Sequence, residues 1–136
     1  MKALLATISD FATQRIFSAR AFPVQREELP CAIVFTLDEP ARRANQARTL
    51  ERDFALVIAI KAKGPEDEVE DELDRLAVLV EQAMAPKTLG IQGVMDSTLE
   101  RTTTSIDGQS QLPIGSLALV YRVTYRTPAG APDAFA

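Results

Sequence analysis

An α+β domain built on a largely antiparallel sheet of about four to five strands is the fold class this sequence predicts, in the order α-β-β-β-α-β-β. Three observations carry that expectation. An apolar stripe recurs at helical spacing over about residues 65–85. Two long segments, about 49–63 and 115–127, alternate at the period of a strand. Turn signals such as Gly64-Pro65 and Asp107-Gly108 join neighbouring segments at hairpin-like distances, which favours antiparallel pairing.

The elements follow in order. Leu4, Ile8 and Phe11 share one helical face, widened by Leu5 and Ala12, and predict a short N-terminal helix over about 2–12. Residues 15–22 read as a strand stopped by Pro23, and the polar stretch 25–28 as a loop. Cys31 to Leu37 is a short run of β-formers, expected as a buried strand that ends at Asp38-Glu39-Pro40. Residues 41–48 carry Arg42, Arg43 and Arg48 without an apolar face, and predict an exposed, mobile loop.

In the long strand 49–63, Phe54, Leu56, Ile58 and Ile60 line one face while Ala55, Val57 and Ala59 line the other. Apolar residues on both faces point to a central strand covered on both sides. Pro65 suits the first helical position. Glu66, Asp67 and Glu68 follow, where negative charge complements the helix dipole. Val69, Leu73, Leu76, Val80 and Met84 then form the stripe, and Pro86 ends it.

A loop over 87–96 holds Leu89 and Ile91 between two glycines. Residues 97–106, with the run Thr102-Thr103-Thr104, predict a polar strand. In the last strand Leu117, Leu119, Tyr121, Val123 and Tyr125 share a face opposite Ala118, Val120, Arg122, Thr124 and Arg126. The domain is expected to span 1–127, with 128–136 a disordered tail.

Composition narrows the function. The 136 residues are 46% hydrophobic and 25% charged, which suits one globular domain. No run is long and apolar enough for a spanning helix. The apolar stretch after Met1 is cut short at Ser9-Asp10, too early for a secretory signal, and the expected compartment is a reducing cytoplasm. Cys31 is the only cysteine and reads as a small apolar core residue. The formal net charge of -4 and scattered arginines argue against binding to nucleic acid, which requires a clustered basic surface.

No catalytic template is present. Histidine is absent, and with it the usual general base; neither a Gly-rich phosphate loop nor a nucleophile elbow occurs. The expectation is a non-enzyme without cofactor or metal. One dense acidic cluster, from Glu66 through Asp67 and Asp71 to Asp74, admits three readings: a solvated helix face, a partner-facing surface or a divalent-metal site. The face carrying Arg122 and Arg126 passes from apolar to charged along one strand, as in a subunit interface, though an ordinary half-exposed strand end has the same pattern.

Assembly also follows from length. A strand of about thirteen residues spans roughly 40 Å, whereas a helix of about twenty spans roughly 30 Å. The long strands should overhang the helix that covers them, and exposed strand ends and edges favour pairing with other copies.

Four segments together resemble the tail terminator proteins of long-tailed bacteriophages, the minor tail protein U family. They are residues 15–23 (RIFSARAFP), 28–39 (ELPCAIVFTLDE), 52–58 (RDFALVI) leading into Glu66-Asp67, and 119–127 (LVYRVTYRT). The similarity covers about residues 3–128. The resemblance implies a mixed α/β domain whose copies, six to a ring, cap the tail tube, stop its polymerisation and offer a docking surface to the neck. It implies the partners as well: other copies of the chain, the major tail-tube protein and a neck or head-completion protein. DNA would cross the lumen without specific binding. The place implied is the virion tail, assembled in the bacterial cytoplasm. Another head–tail completion protein and a non-viral ligand-binding α+β module are the alternatives.

The family supplies no motif that fixes interface residues, so the candidates rest on the residues themselves. Arg42, Arg43 and Arg48 would order on docking, and Leu89 and Ile91 would make apolar contacts from an exposed loop. Arg122 and Arg126 would meet the acidic helix start, Glu66, Asp67 and Asp71, of a neighbouring copy.

Overall fold

A computed structural model describes residues 16–18, 29–86, 88–89, 93–107 and 113–131. Its strands are β1 (Ile16–Ser18), β2 (Cys31–Thr36), β3 (Ala41–Arg43), β4 (Thr49–Lys63), β5 (Val94–Asp107) and β6 (Ile114–Pro128). One helix, α1 (Glu66–Ala83), stands between β4 and β5. All six strands form a single sheet in the order β1-β2-β4-β6-β5, with β3 also paired to β4.

This corrects the expected fold class. Strands make up most of the described chain, the sheet has six strands rather than four to five, and it is mixed: β1 runs parallel to β2, with Ile16 opposite Ala32. The described order is β-β-β-β-α-β-β. The expected N-terminal helix over about 2–12 lies outside the described residues. The sixth strand is β3, which falls inside the expected loop 41–48. It has no apolar face because charge pairs across the strands, rather than burial, hold it to β4.

The sheet is organised around β4 and β6, which pair without a break from Thr49 opposite Pro128 to Lys63 opposite Ile114. Period-two alternation explains the burial. Leu56, Ile58 and Ile60 on β4, with Leu117, Leu119, Tyr121 and Val123 on β6, point to one side and are buried there. Val69, Leu73, Leu76 and Val80 of α1 are fully buried in the same cluster or beside it. Burying a side chain of this size stabilises the fold by roughly 1.5–3 kcal/mol.

The approach of α1 to the sheet is set at Gly115. A Cβ there would meet Leu73 Cδ1 at 2.6 Å and Val69 Cγ2 at 3.1 Å, so only glycine lets the helix lie this close. The first turn starts at Pro65, whose carbonyl accepts from the amides of Glu68 and Val69, both at 2.9 Å. Pro128 is the last residue of β6, and Ala129 donates to the Arg48 carbonyl at 3.1 Å. The chain expected as a tail from 128 onwards is therefore held to the sheet at its start; residues 132–136 lie outside the described residues.

Candidate assembly surface

Length separates α1 from part of the sheet. Only Gly64 and Pro65 connect β4 to α1, so the helix folds straight back along its own strand. Its 18 residues rise about 27 Å, against about 50 Å for the 15 residues of β4. The start of β4, the end of β6 and the whole of β3 therefore project past the helix as a three-stranded arm. Its tip is the turn from Ala44 to Arg48, where Ala44 donates to the Thr49 carbonyl at 2.7 Å and Arg48 to the Asn45 carbonyl at 3.2 Å. Arg48 takes a left-handed φ of 65° to close this turn.

Side chains bind the arm together on both faces. On the face of the sheet away from α1, Arg42, Glu51 and Arg126 stand opposite one another on β3, β4 and β6. Glu51 accepts from both arginines, from Arg126 Nη2 at 3.1 Å. Those two guanidiniums hold its carboxyl below the ordinary carboxylate value. Asp53 accepts from the Thr124 hydroxyl at 2.6 Å. On the other face Arg52 Nε donates to the Thr127 hydroxyl at 2.8 Å, which satisfies a fully buried polar side chain. The Tyr125 hydroxyl donates to Glu39, and burial, then this contact, raises its pKa. Exposed ion pairs are each worth about 0–1 kcal/mol; the arm depends on several acting across adjacent strands.

The predicted contact residues fall in different places. Arg42 and Arg43 belong to β3, not to a mobile loop, and Arg48 ends the arm's turn. Arg43 donates to the carbonyls of Asn45 and Gln46 at 3.0 and 3.2 Å. Arg122 and Arg126 lie on the face away from α1, where their acidic partners are Glu100, at 2.5 Å, and Glu51. Asp67 and Asp71 are exposed on α1, which begins at Glu66. Leu89 corrects an expectation: it is 2% exposed and part of the core, with a left-handed φ of 54°. The turn that carries it folds inward, so it offers no apolar contact to a partner. Ile91 lies outside the described residues.

Glu51, Asp53 and Glu100 were not singled out from the sequence. Their signal was available for Glu51 and Asp53, which occupy the positions of β4 where the second apolar face gives way to charge. Glu100 sits at a register shift in β5, between Leu99 and Arg101, which local periodicity does not reveal.

Among the described strands β5 stands at one end of the sheet order and β1 at the other; Arg101 to Ile106 of β5 are all exposed. Among the described residues, no group of histidine, cysteine, aspartate and glutamate is placed to hold a metal ion. None of their helices is long and apolar enough to cross a membrane.

No family model matches the chain, and no curated protein matches it. A solved structure does. A chain of the virion of a native gene transfer agent (GTA) particle superposes with a TM-score of 0.54 over 92% of this chain and 86% of that one, at 12% identity. The fold is shared with a virion component. At that identity the likeness concerns the fold, and it extends over nearly the whole of both chains.

Proposed function

We propose that this chain is a structural virion protein of a long-tailed phage or prophage, a tail terminator whose copies close into a ring on the end of the tail tube. The ring stops tube polymerisation and presents a docking surface to the neck or head-completion protein. The observation that carries this reading is the arm: three strands extend past the only described helix, stitched by their own charge pairs, and end in a strand and turn whose residues 41–43 and 45–48 are exposed. The outer strand β5, with Arg101 to Ile106 exposed, adds a second surface with no partner strand among the described residues beyond β6. The fold shared with a chain of a gene transfer agent virion supports the virion setting, and the resemblance of the four sequence segments supports the terminator role.

In this reading the chain performs no chemistry and requires no cofactor. Its partners are other copies of itself, six in a closed ring, the major tail-tube protein and the neck protein. DNA passes the lumen without specific contacts, which an acidic chain favours by repulsion. Assembly takes place in the bacterial cytoplasm and the product stays in the tail.

Electron microscopy of the purified chain mixed with tail-tube protein tests the proposal. Tubes should be shorter and end in an added ring. Tubes of unchanged length with bare ends would refute the terminator role, and binding at the head side without any effect on tube length would favour another neck protein.

A further inference from the structure

Charge on this chain is segregated. Helix α1 carries eight carboxylates and a single basic residue, Arg75, so it holds more negative charge than the net -4 of the whole chain. Arg75 is already engaged by Glu72 at 2.7 Å. On the outward side of α1 a line of exposed residues, Asp67, Asp71 and Asp74, runs to Val78, which is 51% exposed. The spacing of four, three and four residues keeps them on one face.

The arm shows the opposite pattern. Its internal carboxylates are used up on Arg42 and Arg126. Two guanidiniums at the tip remain without a carboxylate among the described residues: Arg43, which touches only backbone carbonyls, and the exposed Arg48. The tip and the acidic line cannot meet within one chain. The arm projects beyond the last turn of α1, and the line begins at the first turn, at the far end of β4.

We propose that the arm tip of one copy docks on the outward face of α1 of the next, with Arg43 and Arg48 against Asp67, Asp71 and Asp74. The two surfaces differ, so the contact is heterologous, and repeating it propagates head to tail until the rotation closes a ring. Complementary charge of this kind sets orientation and encounter rate more than raw affinity, and the contact weakens as salt shortens the range of the field. The proposal rests on the ring reading and assigns its subunit contact.

The test reverses charge on each side. Arg43→Glu with Arg48→Glu should raise the concentration for half-assembly at low salt by roughly tenfold or more, as loss of a charge contact does. Asp71→Arg with Asp74→Arg should do the same, and the combined variant should recover assembly. Arg48→Glu alone, which removes no hydrogen bond within the chain, should give a partial loss, and thermal melting verifies that each variant folds. Sedimentation reports self-association and microscopy reports tube capping. If the wild type caps tubes and all reversals cap and associate equally well, the contact is wrong and the ring reading stands. If the wild type neither associates nor caps, both are wrong. Loss in each reversal without recovery in the combination also overturns the pairing.

Discussion

Glu51 on β4 and Arg126 on β6 face each other across the sheet, Arg126 Nη2 lying 3.1 Å from Oε2 of the carboxylate. The other oxygen of Glu51 accepts from Arg42 on β3, so one side chain joins three strands beyond the reach of the helix. The carboxylate side chain is only 14% exposed, while both arginines remain open to water.

Acid should loosen the arm through Glu51. Its folded-state pKa lies below the ordinary value of 4.5 because Arg42, then Arg126, stabilise the charged form. A depressed carboxyl contributes stability above the unfolded value and loses it as pH falls through the folded one. Glu51→Gln removes that contribution at neutral pH. Amide exchange in residues 41–53 and 124–128 should be faster in Glu51→Gln than in the wild type near pH 7, and the gap should close in acid. A gap that persists unchanged to low pH would show that the carboxylate is not the source.

The aromatic pair on the other face gives a separate handle. Phe54 and Tyr125 meet edge to face, with centroids 5.9 Å apart and an interplanar angle of 71°. A double-mutant cycle of Phe54→Leu and Tyr125→Leu should return a coupling of about 0.5–1.5 kcal/mol. Tyr125→Phe keeps the ring contact and removes only the hydrogen bond to Glu39, so it should cost less than Tyr125→Leu. Denaturant melts of the four proteins of the cycle and of Tyr125→Phe measure both, and additive losses would refute the ring contact.

Gly115 fixes the distance between α1 and β6 by sterics alone. Ala would place its methyl 2.6 Å from Leu73 Cδ1 and 3.1 Å from Val69 Cγ2, so Leu73 must move or the helix must lift. Overpacking of this kind costs about 1–3 kcal/mol. Gly115→Ala should lower the denaturation midpoint accordingly, and Leu73→Ala should suppress the extra cost when the two are combined. A neutral Gly115→Ala would mean that the helix seat is soft.

Elements governed by local period were legible in the sequence. The alternation of Phe54, Leu56, Ile58 and Ile60, and of Leu117 through Tyr125, marks the helix-facing side of β4 and β6. The stripe Val69, Leu73, Leu76, Val80 and Met84 is the buried face of α1 and its last turn. What escaped depends on partners far along the chain. β3 is a strand because Arg42 and Arg43 lie opposite Glu51 and Leu50, not because its own residues alternate. The parallel β1–β2 pair, which makes the sheet mixed, has no local signature at all. The site followed the same division: the overhang could be foreseen from lengths, but the partners of Arg122 and Arg126 could not, since Glu100 and Glu51 are brought to them by sheet register.

Leu89 sets two effects against each other, and their magnitudes differ. Its φ of 54° is a left-handed conformation that costs a non-glycine residue about 1–2 kcal/mol. Its side chain is 2% exposed within the core cluster, and truncating such a leucine to alanine costs about 2–5 kcal/mol. Burial therefore wins, and the strain is the smaller of the two. Leu89→Ala loses the burial and keeps the strain; Leu89→Gly loses the burial and relieves the strain. Both variants should unfold more easily than the wild type, with the glycine variant less damaged than the alanine variant by about 1 kcal/mol. Equilibrium unfolding of the three proteins decides the matter: a glycine variant as stable as the wild type would show that Leu89 contributes no packing, and an alanine variant more stable than the glycine variant would show that the left-handed turn is not strained.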